Sequence, residues 1–160
     1  MARKNNRMKT EYQQGLGFDP RKYTTPAPIT THQAPDRTPL RGDIWFASLG
    51  MHPATSVQGG TRPVVIVSND IGNLHAATVN VVPMTRHLKK PELPCHTQLD
   101  PDSISDKRLP LDPSMVLAEQ LTTISKYALR SYVGHISDAD ALNRIEHAVA
   151  EQLGLHNGEE

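Results

Sequence analysis

The stretch from Gln58 to Asp70 constrains this chain most. Gln58-Gly59-Gly60-Thr61-Arg62-Pro63 leads directly into Val64-Val65-Ile66-Val67, and Ser68-Asn69-Asp70 follows. A short continuous apolar run bounded by turn residues is the pattern of a strand covered on both faces, so it predicts a central strand. The two glycines allow positive φ and close backbone approach, and Pro63 fixes the entry of the chain into the strand. Arg62 is thereby held at the strand mouth. Its guanidinium there presents a fork of donors suited to phosphate or carboxylate oxygens. A hairpin loop with a solvated arginine at its base fits the same residues, and this stretch alone does not separate the two.

Around that strand the chain reads as a series of short β segments. Ile44 to Ala47 is rich in aromatic and β-branched residues and predicts the first strand, with Ser48 to Thr61 as the loop that follows it. Asn69 to Asn73 supplies turn residues. Thr78 to Thr85 predicts another strand, with Pro83 placing its end at an edge or bulge and Thr85 just beyond the break. A short strand is expected at His96 to Leu99, then an exposed connection over Asp100 to Asp112. Ser114 to Leu121 reads as a strand running on into Thr122-Thr123-Ile124-Ser125, and Tyr132 to Ile136 as the last one.

Ser137 and Asp140 resemble a capping box, Leu142, Ile145, Val149 and Leu153 share one helical face, and Gly154 marks a stop. These elements predict a mostly β, α+β fold: a small antiparallel barrel with a C-terminal helix. The domain is expected over residues 40–156, with 157–160 as a short tail.

Charge supports the same division. The chain carries 17 basic and 17 acidic residues, yet residues 1–39 hold seven basic against three acidic and the remainder is net −4. Residues 1–39 also contain five prolines and no sustained apolar period, the composition of a disordered or extended basic segment. A barrel with an acidic balance is no generic polyanion binder, so nucleic-acid contact has to rest on a local patch. With Cys95 as the single cysteine there is no intrachain disulfide. Neither a signal-peptide pattern nor a run of ~18 apolar residues is present, so the expectation is a cytoplasmic protein without a membrane partner.

Nor does the sequence point to a cofactor. The predicted helix carries no HxxxH or HExxH pair, a single cysteine excludes thiolate clusters, and no glycine-rich nucleotide motif follows a strand, so no metal and no cofactor are expected. Cys95 and His96 are adjacent. In a strand they would face opposite sides and would not meet as nucleophile and base.

Four motifs in order resemble the PemK/MazF toxins: Arg41-Gly42-Asp43-Ile44-Trp45, Gln58 to Asp70, Val81-Val82-Pro83-Met84-Thr85, and Glu119-Gln120 followed by Ile124. The resemblance spans roughly residues 40 to 155. It implies an SH3-like barrel, a homodimer, and a metal-independent, sequence-specific endoribonuclease toxin of a type II toxin–antitoxin pair. It also implies cleavage of single-stranded RNA by 2′-hydroxyl transesterification, inhibition by a cognate antitoxin, and operator DNA binding only as the toxin–antitoxin complex.

By the same resemblance Arg62 and Thr85 are the catalytic candidates, stabilising charge on the phosphoryl oxygens and orienting the phosphate. Gln58, Glu119 and Ser56 are candidates for proton transfer or substrate orientation. Gly59, Gly60, Arg86, His87 and Gln120 are candidates for RNA contact, with Lys89 and Lys90 as further basic residues. Two positions depart from the family pattern. Val57 stands where many relatives carry Glu, and Thr122 where Arg is common. A catalytically weak barrel that binds nucleic acid or antitoxin therefore stays open beside the enzyme, as does a barrel that binds only a protein partner.

Overall fold

The computed structural model describes residues 35–155 apart from Lys89. The expected basic extension up to residue 34, Lys89 and the tail from residue 156 lie outside the described residues.

Eight strands form one antiparallel sheet: β1 (Asp43–Ser48), β2 (Thr61–Ile66), β3 (Thr78–Thr85), β4 (His96–Leu99), β5 (Ile104–Ser105), β6 (Ser114–Leu117), β7 (Thr122–Ser125) and β8 (Leu129–Ile136). Their spatial order is β4-β6-β3-β2-β1-β8-β5, with β7 also on β3. The expected barrel is realised as a curled half-barrel whose end strands, β4 and β5, are not neighbours. Among the described residues two α-helices accompany it, α1 (Asp70–His75) and α2 (Ala139–Leu153).

β2 is the central strand that its apolar run predicts. It pairs with β1 on one side and β3 on the other. Val65 belongs to the cluster that includes Ile44, Val82, Met84, Val116 and Ile145, while Val64 and Ile66 join Trp45, Val79, Val81 and Leu129 on the opposite face. Successive residues of one strand thus seal two cores, and none of the three exposes measurable surface.

Pro83 is buried inside β3 rather than at its end, opposite Val64 of β2. On the other edge of β3, β7 pairs with Thr78 to Val81 and β6 with Met84 and Thr85. Pro83 falls in the gap between those two ladders, where a residue without an N–H costs no hydrogen bond. Thr85 is accordingly the last strand residue, paired with Met115.

The run from Ser114 to Ser125 is not one strand. A 3-10 turn, Ala118–Gln120, separates β6 from β7 and lets the two reach different stretches of β3. Asn69 to Asn73 opens α1 rather than a simple turn, because the Asn69 side chain accepts the Gly72 amide as an N-cap. The connection after β4 contains a 3-10 turn and the two-residue β5, whose Ile104 is buried. The final strand starts at Leu129, three residues before its expected beginning.

The Arg41-Gly42-Asp43 turn clamps these parts together. Arg41 Nε and Nη2 donate to Glu146 Oε1 of α2 at 3.1 and 2.7 Å, and its Nη1 donates to the Val67 carbonyl. The Arg41 amide donates to Asp70 at the start of α1 at 2.7 Å. Fully buried Asp43 accepts the Leu40 amide at 2.9 Å and pairs with His135 Nδ1 at 2.8 Å. Contact with the sheet starts upstream of Leu40: Pro39 is buried, and the Arg37 guanidinium lies 3.9 Å over the Tyr132 ring.

α2 is capped by Asp138, not Ser137, since the Asp138 carboxylate accepts the Asp140 amide at 3.0 Å. Ala141, Ile145 and Ala148 are its buried residues, flanked by half-buried Leu142 and Val149, while Leu153 is exposed. The buried stripe is thus rotated from the one expected, with alanines allowing close approach. Gly154 ends the helix with φ of 66°, as its position predicts. Ile145 is 1% exposed, so Ile145→Ala is expected to lower unfolding stability by about 2–5 kcal/mol. Urea titration checks this through a lower midpoint at unchanged slope.

Candidate active site

A cleft of about 640 Å³ opens where β2 begins and β3 ends. Gly59, Gly60, Thr61, Arg62 and Pro63 form one wall, Met84, Thr85, Arg86 and His87 another, and Pro110, Leu111, Asp112 and Ser114 a third. Six residues named from the sequence thus meet in one place: Arg62, Thr85, Gly59, Gly60, Arg86 and His87.

The glycines shape the wall that holds Arg62. Gly60 adopts φ of 73°, and its amide donates to the Gly50 carbonyl at 2.7 Å while its own carbonyl accepts the Leu49 amide at 2.9 Å. A side chain at Gly59 would place its Cβ 3.0 Å from the Gly50 carbonyl oxygen. The long loop between β1 and β2 is therefore pinned at its base by backbone bonds that need Gly59 to be small and Gly60 to hold a positive φ.

Arg62 is half-buried, and its Nε donates to the Gly59 carbonyl at 2.8 Å. Neither terminal nitrogen has a hydrogen-bond partner among the described residues. The guanidinium is thus oriented through one edge, with its outer donors left for an anion in the cleft. The Thr85 hydroxyl oxygen accepts the His87 amide at 3.2 Å, which fixes its place and leaves its proton to donate.

Arg86 pairs with Asp112 at 3.4 Å, both side chains being well exposed, so the ion pair holds them only weakly. Asp112 was not among the expected site residues. It belongs to a segment that reads as an exposed connection, and only the return of that segment into β6 brings it to the cleft.

Gln58, Ser56 and Gln120 meet beside this cleft. Gln120 Oε1 accepts the Gln58 amide and its Nε2 donates to the Ser56 carbonyl, each at 3.2 Å. One side chain on the 3-10 turn thus ties down the loop that leads to the glycines.

Glu119, the adjacent residue, is not among the residues lining the cleft. Its carboxylate lies 2.8 Å from His96 Nε2, while His96 Nδ1 lies 3.1 Å from the Lys90 carbonyl. Cys95 joins this pair, with its Sγ, a His96 ring nitrogen and a Glu119 oxygen all within 4.8 Å of one another. The expectation that Cys95 and His96 stay apart is corrected here. Cys95 lies in the turn before β4, so strand alternation does not govern it.

The surroundings of the thiol work against its ionisation. Burial pushes the Cys95 thiol up from its ordinary value, and the charge of Glu119 and the thiol's hydrogen bond to it push further in the same direction.

With this geometry in view, the relatives are informative. The pattern of the PemK-like, MazF-like toxins of type II toxin–antitoxin systems matches residues 40–153. The chain belongs to that family. It is 35% identical over 116 residues to the endoribonuclease EndoA of Bacillus subtilis, covering 72% of this chain and 94% of that one.

A mycobacterial endoribonuclease solved in complex with its cognate antitoxin is 29% identical with a TM-score of 0.59, over 75% of this chain and 99% of its own. MazF from Deinococcus radiodurans also reaches 0.59 at 21% identity, over 74% and 99% of the two chains, a likeness of fold. Among the described residues no helix is long and apolar enough to cross a membrane.

Alkylation of Cys95 by iodoacetamide in chelator-containing buffer reads the environment of its thiol. The rate follows the thiolate fraction, so its rise with pH is expected later than for a free thiol. In Glu119→Gln, which removes the opposing charge, that rise is expected at lower pH. An unchanged profile would show that Glu119 does not act on the thiol.

Proposed function

We infer that this family member is an endoribonuclease toxin that cuts single-stranded RNA without using a metal in the chemical step. Arg62 and Thr85 are its catalytic residues. The observation that carries the reading is the Arg62 guanidinium, oriented by Gly59 through Nε with its terminal nitrogens unclaimed, in the same cleft as the Thr85 hydroxyl.

The chemistry follows from what cleavage requires. The ribose 2′-oxygen attacks the adjacent phosphorus as its proton leaves, the bond from phosphorus to the 5′-oxygen breaks, and that oxygen takes up a proton. The products are a 2′,3′-cyclic phosphate and a 5′-hydroxyl. Negative charge gathers on the non-bridging oxygens in between, and a fixed fork of N–H donors meets it without reorganising. The Thr85 hydroxyl donates to the same group and sets its angle to the nucleophile.

For the proton movements, His87 and Asp112 are the lining side chains that can accept and return a proton. Arg86, His87 and the amides of Gly59 and Gly60 serve the phosphates on either side. Gln58 and Ser56 act through the loop that Gln120 holds, and Glu119 contributes there by position rather than by contact with substrate.

An acidic, extended segment of a cognate antitoxin suits the same cleft, because carboxylates compete with phosphates for Arg62. A homodimer in the cytoplasm, with operator DNA bound only by the toxin–antitoxin complex, completes the proposal. Val57, more than half exposed on the loop, supplies no acid–base group where many relatives have Glu. That substitution is the observation favouring the second reading, a barrel that binds RNA or antitoxin and cuts weakly.

A long single-stranded RNA incubated in EDTA with wild-type protein is expected to be cut at one short motif, leaving 5′-hydroxyl ends identified by sequencing. Arg62→Ala is expected to cut on the order of 10²–10³-fold more slowly while retaining most RNA affinity at low salt. Arg62→Lys, which keeps charge without the fork, falls between them. Intact RNA that wild-type protein still binds would install the second reading. Failure of wild-type protein to bind RNA at all would leave only a partner-binding barrel.

A further inference from the structure

We propose that Cys95, His96 and Glu119 form a binding site for a thiophilic divalent cation of the zinc class. The three residues supply a sulfur, an imidazole nitrogen and a carboxylate oxygen, donors that zinc takes together. They are not among the residues that line the cleft, so the site stands apart from the proposed cleavage chemistry.

An ion fits once the three ligand atoms close around it. Bonds of about 2.3 Å to sulfur and about 2.0–2.2 Å to nitrogen and oxygen put tetrahedral ligand atoms roughly 3.2–3.6 Å apart. The three ligand atoms already lie within 4.8 Å of one another. His96 Nε2 and the Glu119 oxygen, at 2.8 Å, need only open by about half an ångström to admit the ion between them.

The surroundings hold the donors in place. The Cys95 carbonyl accepts the Ala118 amide at 2.9 Å, and His96 pairs with Leu117 across the ladder from β4 to β6. Ligands on two segments are thus tied by backbone bonds just beside themselves, which is the support a precise site needs.

His96 Nδ1 faces the Lys90 carbonyl at 3.1 Å, so with an ion on Nε2 in place of the Glu119 contact the ring proton sits on Nδ1 and donates to that carbonyl. The His96 side chain is only 7% exposed while Glu119 keeps 31%, so the ion enters past the carboxylate. On binding, the thiol proton passes to solvent as the sulfur–metal bond forms, and a water completes four-coordination.

Occupancy would also bear on the loop. Glu119 belongs to the 3-10 turn whose Gln120 holds the Ser56 carbonyl and the Gln58 amide, so a bound ion stiffens the anchor of the loop beside the cleft.

Cobalt titration of the full chain, reduced and stripped with chelator, tests the site. Because the chain has one cysteine, a thiolate-to-cobalt charge-transfer band can come only from Cys95. The expected result is such a band saturating at equimolar cobalt, with the intense visible bands of a tetrahedral ion, bleached by added zinc. His96→Gln and Glu119→Gln are each expected to weaken cobalt binding by at least about tenfold.

Absence of the band in wild-type protein at saturating cobalt overturns the proposal without any variant. Saturation at half an equivalent overturns it as well, since that reports a cysteine shared between two chains. A band of unchanged affinity in both variants overturns the ligand set. RNA cleavage in EDTA is a separate readout, so failure of this site leaves the proposed cleavage standing, and the reverse.

Discussion

Burial of β2 on both faces is the constraint from which the rest of the molecule follows. Val64 and Ile66 seal one cluster and Val65 the other, while β1 and β3 take up the backbone on either side. A strand held in that way has no alternative register, because a one-residue slip would exchange the two cores. Arg62 lies two residues before Val64, so its position is set by packing that no loop motion relieves. The precision of the proposed site is inherited from a strand buried on both faces, and the glycines only aim what that strand positions.

The opposite wall depends on how β3 changes partners. Pro83 occupies the gap between β7 and β6, and the 3-10 turn Ala118–Gln120 makes the exchange possible by interrupting what would otherwise be one strand. Thr85 is thereby paired with β6 rather than left beyond a strand end, and its hydroxyl takes the His87 amide. The same turn sends Gln120 to the loop and Glu119 to His96. One irregularity in the sheet thus settles the cleft wall, the loop anchor and the Cys95 cluster together.

How far the sequence could be read follows from the range of each interaction. The strand from His96 to Leu99 and the Gly154 stop rest on adjacent residues and appear where their patterns place them, while the strand expected over Val64 to Val67 begins three residues earlier and ends one sooner, at Thr61–Ile66, so that Arg62 lies within it. The gathering of Arg62 with Thr85, Arg86 and His87 was reached through the motif resemblance, since no local pattern relates β2 to the end of β3.

What escaped depends on long-range return of the chain. Asp112 reaches the cleft through a segment whose polarity reads as plain exposure, and the 3-10 turn is masked by the apolar continuity of Ser114 to Leu121. The Cys95 and His96 pair escapes strand alternation because β4 begins only at His96, leaving Cys95 in the turn before it. The stripe on α2 shifted because Ala141 and Ala148 count little in hydrophobicity, yet their size lets the helix settle closely on the sheet.

The charge of the domain sharpens the meaning of the cleft. Residues 40–160 sum to −4 and residues 1–39 to +4, so the chain carries no net charge that would draw a polyanion in. Attraction has to be concentrated where Arg62, Arg86 and His87 face one cavity, and Asp112 on Arg86 tempers even that patch. Such an arrangement disfavours duplex nucleic acid, whose charge is dense and continuous, and favours a strand that can bring single phosphates into a recess. The acidic antitoxin segment proposed for the same cleft gains as little from overall charge and meets the same local donors. In the proposed mechanism, competition for the cleft is therefore decided by short-range fit to Arg62 and not by overall charge, which is how a near-neutral chain can hold either occupant selectively.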